Sequence, residues 1–119
     1  METIISKQTE TTPKVVYNQY NNEVLIKGKS IPFDSDLFWS MVTHQIKNLQ
    51  DKNNITKIKI DLHYINTNSI IYLYKLLNTY NKCLIEWFFE EGDDDMCELG
   101  EYLSFLCKKD FIFLHSELC

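Results

Sequence analysis

The chain contains no arginine and no alanine, only three glycines and two prolines, and no apolar run near the roughly 18 residues a membrane span needs. The missing arginine matters most. Arginine supplies the planar, two-pronged donor that grips phosphates and base edges. All 12 basic residues are lysines and the net charge is −5, a combination that argues against a nucleic-acid partner. Three glycines leave no Gly-rich phosphate loop, which argues against phosphoryl-transfer catalysis. The N-terminal stretch Met1–Lys7 lacks a basic region followed by a long apolar one, so no secretory signal is expected. A cytoplasmic location without membrane insertion follows as the expectation.

Cys83, Cys97, Cys107 and Cys119 are too widely spaced for a zinc knuckle. Without a secretory signal they are expected to be free thiols. His44, His63 and His115 are scattered too, and each reads as a structural residue rather than a ligand or general base. No cofactor is expected.

What is present suits one α/β domain over residues 1–119. A chain of this length buries about two-thirds of its unfolded surface and needs no staple. Hydrophobic residues make up 45% and charged residues 24%, ordinary for a globular chain. Residues 1–13 are polar and Thr-rich and read as a loose arm or an edge strand. Val15–Tyr17 and Val24–Ile26 flank the turn-rich Asn18–Asn22 and predict a hairpin, closed at Gly28. Asp34-Ser35-Asp36 offers N-caps for a helix with Phe38, Met41, Val42, Ile46 and Leu49 at helical spacing, ending near Asp51–Asn54.

Ile55–Tyr64 alternates, with Ile58, Ile60, Leu62 and Tyr64 on one face. Asn66–Ser69 starts a second helix with the stripe Ile70, Leu73, Tyr74, Leu77 and Tyr80. Cys83–Phe89 is apolar on both faces and reads as a central strand. Glu90–Asp95 leads into a third helix with Met96, Leu99, Leu103, Leu106 and Cys107. Phe111–Leu114 is a last short strand. The order ββαβαβαβ predicts a mixed, open sheet of about five strands with three helices mainly on one face.

In open α/β sheets, functional groups gather beyond the carboxyl ends of parallel strands. Two segments fall there: Asn66-Thr67-Asn68-Ser69 and Glu90–Asp95. If their strands pair, they share one rim. Asn66 as N-cap puts Thr67 at the first helical position, where a phosphate would meet the positive helix end. It would also add about −1.5 to −2 charge facing the carboxylates. Taken alone, Asn66, Thr67 and Ser69 also fit plain helix caps.

The carboxylates Glu90, Glu91, Asp93, Asp94 and Asp95 could hold Mg²⁺ or Ca²⁺, but lack EF-hand spacing. They equally suit a solvated helix start or a docking patch for a basic partner surface.

The segment Asp61–Ser69, leading into an apolar helix, resembles the phosphosite region of the SiaC family of bacterial regulatory phosphoproteins. Thr12-Pro13, Gly28-Lys29-Ser30-Ile31-Pro32 and Trp87–Met96, followed by Glu98, Gly100 and Glu101, extend the resemblance in order along nearly the whole chain. It implies a STAS-like fold, akin to anti-sigma-factor antagonists. It implies phosphorylation at Thr67 by a Ser/Thr protein kinase and reversal by a PP2C-type phosphatase. The unmodified form would bind and activate a diguanylate cyclase. Two positions depart from the family pattern: Asn68 replaces the usual first serine of a pair, and Phe33 stands where an acidic residue often follows the proline.

A phosphorylation-controlled binding module, with no chemistry of its own, is therefore the leading expectation. A metal-dependent interaction module built on Glu90–Asp95 is the alternative. A small enzyme using a Cys or His is weaker still, because no nucleophile–base–orienter spacing is present.

Overall fold

The computed structural model describes residues 2–116, so Cys119 lies outside the described residues. The β-branched and aromatic runs form β1 (Glu2–Ser6), β2 (Lys14–Asn18), β3 (Glu23–Ser30), β4 (Lys57–Ile65), β5 (Leu84–Phe89) and β6 (Ile112–His115). The helices are α1 (Ser35–Lys52), α2 (Thr67–Thr79) and α3 (Asp94–Cys107). All six strands join one mixed sheet in chain order. β1, β2 and β3 pair antiparallel, while β3–β4, β4–β5 and β5–β6 pair parallel. Each parallel crossover steps one strand in the same direction, so right-handed connections bring all three helices to one face.

That face is the core. Val15, Tyr17, Val24, Ile26, Ile58, Ile60, Ile85 and Trp87 project from the sheet and are buried with Trp39, Val42, Ile46, Leu73, Leu77 and Leu103 from the helices. The opposite face carries no helix. It is laced by Lys57 with Glu23 (3.3 Å) and Glu86 (3.6 Å) and by Lys59 with Glu23 (3.4 Å).

The α/β class, the three helices and the mixed sheet agree with the sequence reading. The strand count is six rather than five, because the N-terminal arm is an edge strand paired along β2. Other differences have local causes. Gly28 does not close β3; with φ +124° it sits at a bulge, and the strand runs on to Ser30. Across that bulge Gly28 pairs with Leu62 and Lys29 with Tyr64, leaving His63 as the extra residue. The alternation therefore breaks: Ile58, Ile60 and Leu62 are buried, but Tyr64 is 63% exposed.

β5 is not buried on both faces, since Leu84 lies on the bare side and is 39% exposed. Trp39, absent from the expected α1 stripe, is fully buried.

Candidate functional site

Asn66 caps α2: its Oδ1 accepts the Ser69 backbone N–H at 2.9 Å. This seats Thr67 at the first helical position, where it is exposed, with exposed Asn68 beside it. Ser69 differs. It is fully buried, and its hydroxyl accepts from Ser30 Oγ at 2.9 Å. The Asn66 backbone N–H donates to the Ser30 carbonyl at 2.9 Å, and the Ile31 N–H donates to the Thr11 carbonyl at 2.8 Å. The end of β3 thus ties together the start of α2 and the β1–β2 loop. Thr67 stands on a backbone held from two sides.

Because β4 and β5 pair, the acidic turn reaches the same rim. Gly92 takes φ +91°, a left-handed conformation open to glycine, and turns the chain into α3. Asp93 caps that helix through the Met96 N–H (3.1 Å), with Asp94 and Asp95 in the first turn. Their charge is favourable at the positive helix end. Glu90, Glu91, Asp94 and Asp95 are exposed, and Asp93 is half-buried.

The two segments meet through His63, whose Nδ1 lies 2.9 Å from Glu90 Oε1. Between the starts of α2 and α3 is a cleft of about 530 Å³, lined by His63, Tyr64, Ile70, Asp93, Asp95 and Leu99 among others. Among the described residues, no three His, Cys, Asp or Glu side chains converge as a metal site.

The sequence reading named Phe33 only as a departure from the family pattern and gave Ile71 no role. Phe33 is fully exposed at the start of α1, and Ile71 is 51% exposed on α2. Both line a shallow groove with Asn68 and Asp36. The signal was present in the sequence as Phe33 directly after Pro32, but no periodicity assigns it to a face. Nearby, the Tyr72 hydroxyl donates to Asp36 Oδ1 at 2.8 Å, a bond that raises the phenol's pKa.

The remaining reactive side chains stand apart. His115 packs on Phe89, with ring centroids 4.9 Å apart, and His44 is exposed on α1. Cys83, Cys97 and Cys107 are free thiols. Burial raises the pKa of all three, so none is primed as a thiolate. Among the described residues, no helix is long and apolar enough to cross a membrane.

Residues 6–116 match the model of the SiaC family regulatory phosphoproteins. No curated protein matches the chain. Among solved structures, the chain is similar to one in the crystal structure of the diguanylate cyclase SiaD in complex with its activator SiaC from Pseudomonas aeruginosa. The TM-score is 0.81 at 18% identity, covering 92% of this chain and 96% of that one. It is also similar to SiaC of Pseudomonas aeruginosa, with a TM-score of 0.77 at 16% identity and coverage of 98% and 99%. The apo-SiaC crystal structure from the same organism gives 0.74 at 18% identity, again covering 98% and 99%. At these identities the likeness to the three structures is one of fold.

Proposed function

This chain belongs to the SiaC family of regulatory phosphoproteins, and from that premise we propose that Thr67 is its phosphorylation site and the rim around it the partner-docking surface. The unmodified protein binds and activates a diguanylate cyclase in the cytoplasm. A Ser/Thr protein kinase adds the phosphate and a PP2C-type phosphatase removes it. The cyclase is suggested by the fold shared with the SiaC that activates SiaD. The observation that carries the reading is Thr67 itself, exposed at the first position of α2 directly after a parallel strand.

The physics of the switch is local. A phosphate on Thr67 sits at the positive end of α2, where the helix dipole and free N–H groups favour it by about 0.3–2 kcal/mol. The fold therefore tolerates it. The docking surface does not, because a bulky, strongly hydrated group of about −1.5 to −2 charge stands next to Asn68 and one helical turn before Ile71, two residues that line the groove with Phe33. Burying those apolar groups against a partner would require stripping water from the phosphate, and the interface loses its fit. Glu90, Glu91, Asp93, Asp94 and Asp95 extend the surface and favour a partner face rich in basic residues.

Intact-mass analysis with peptide mapping tests the reading, using the protein incubated with its kinase. One phosphate, on Thr67, is expected. Thr67→Ala should abolish it and keep cyclase binding by calorimetry, while Thr67→Glu should weaken that binding. Stoichiometric phosphorylation of the Thr67→Ala protein would overturn the assignment.

A further inference from the structure

β6 is the last strand of the sheet, so its outer side meets no other strand among the described residues. One bond tells which backbone groups it leaves free. The Ser116 N–H donates to the Phe89 carbonyl at 2.8 Å, so the backbone at Ser116 points toward β5. Direction alternates along a strand. Ile112 and Leu114 therefore also bond to β5, while Phe113 and His115 turn their N–H and C=O groups outward. Side chains alternate between the faces in the same way. Ile112 pairs with Glu86 and Leu114 with Phe88, which places both on the bare face of the sheet, exposed beside half-buried Phe88.

An open edge is a template for another strand, and proteins that stay apart blunt it with charges or a bulge. The opposite edge has both. β1 carries a register shift between Ile4 and Ser6, and an exposed Glu2. β6 has neither. It pairs with β5 without a shift, and no Lys, Asp or Glu stands from Phe111 to Ser116.

We infer that β6 pairs antiparallel with β6 of a second copy of this chain, about a two-fold axis at Phe113. The two Phe113 residues exchange N–H···O=C bonds, as their outward backbone groups allow. His115 comes opposite Phe111 of the second copy, and on the bare face Ile112 comes opposite Leu114. Charge favours a second copy over an unrelated strand. The amino end of β5 and β6 carries Lys82, Lys108 and Lys109 against the single Asp110, and the carboxyl end carries Glu90 and Glu91. The two-fold lays each end beside its opposite. A four-residue strand buries less than the roughly 1,200 Å² of a standard interface, so the dimer is weak, with a Kd on the order of 10–100 μM. The inference rests on the sheet edge and not on Thr67, which follows β4, two strands further in. Because the pairing is antiparallel, the two Thr67 rims of the dimer point in opposite directions.

Sedimentation velocity of the full-length protein tests this, from about 5 to about 500 μM to bracket that Kd. The mass should rise from one chain to two and stop there. Leu114→Lys, at an exposed position, should weaken the dimer about tenfold or more and leave the urea midpoint unchanged. Hydrogen exchange read by NMR locates the contact without any substitution. The Phe113 and His115 amides should slow as concentration rises, whereas those of Ile112, Leu114 and Ile4 should not change. The mass of one chain throughout would overturn the inference. So would a dimer that Leu114→Lys leaves intact, or one in which the Phe113 amide exchanges equally fast at every concentration. Assembly that continues beyond two copies would overturn the closed pair. Protection of Phe113 only when a diguanylate cyclase is added to a monomeric chain would overturn it too, by assigning the edge to that partner.

Discussion

Thr67 and Ser69 are near neighbours at the start of α2, yet one hydroxyl is exposed and the other is fully buried. That difference separates a modifiable group from a structural one. Ser69→Ala would leave the buried Ser30 hydroxyl without its partner, a loss of about 1–3 kcal/mol in urea unfolding. The same variant should still be phosphorylated on Thr67, as mapped by mass spectrometry. Phe33 is the opposite case. Being fully exposed, it contributes little to the fold, so Phe33→Ala should change stability by no more than about 0.5 kcal/mol. Its effect should appear in binding, with cyclase affinity falling about tenfold or more by calorimetry, the loss typical of an apolar anchor.

At the scale of elements, the rim depends on how α3 sits on β5. Gly100 is a point of close contact between them. A Cβ there would lie 2.5 Å from the Trp87 ring and 2.8 Å from Phe113. Alanine would gain about 1 kcal/mol of helix propensity, but forcing a methyl group into a packed core costs about 1–3 kcal/mol. The clash wins here because Trp87 is fully buried and held by its bond to the Met96 carbonyl. Gly100→Ala should therefore destabilise by up to about 2 kcal/mol net, read as a lower urea midpoint with an unchanged slope. The thiols report on the same helix. Cys107 is buried and Cys97 half-buried, and Cys83 donates its Sγ–H to the Ile55 carbonyl at 3.2 Å. Peptide-mapped alkylation of the native protein should modify Cys97 before Cys83 or Cys107.

For the molecule as a whole, the two layers divide the labour. One sheet face packs the helices, and the other is bare and laced with ion pairs. The acidic charge at the carboxyl ends of β4 and β5 adds to a net charge of −5. A partner recognised by that rim should bind more weakly as ionic strength rises, mainly through a slower association rate. Stopped-flow measurements across a salt series would check this, and a flat response would assign the affinity to the apolar residues alone.

The sequence by itself determined the elements whose signals are local. Asp34, Asn66 and Asp93 cap three helices because a side-chain oxygen at that position satisfies a free N–H, whatever packs above it. Hydrophobic spacing marked the strands and the helical faces, and their alternation implied a mixed sheet, locally parallel, with the functional segments at the carboxyl ends of its parallel strands. Thr67 at the head of α2 was legible for the same reason. Tertiary structure decided what depends on a distant partner. The N-terminal arm is a strand only because β2 offers it a free edge. Tyr64 turns outward because a bulge opposite Gly28 shifts the register, which alternation within β4 cannot reveal. Ser69 is buried because Ser30 arrives from β3, and Phe33 becomes part of the rim because α1 begins beside α2. Local propensity resides in a residue and its near neighbours, whereas burial and register belong to pairs brought together by the whole fold.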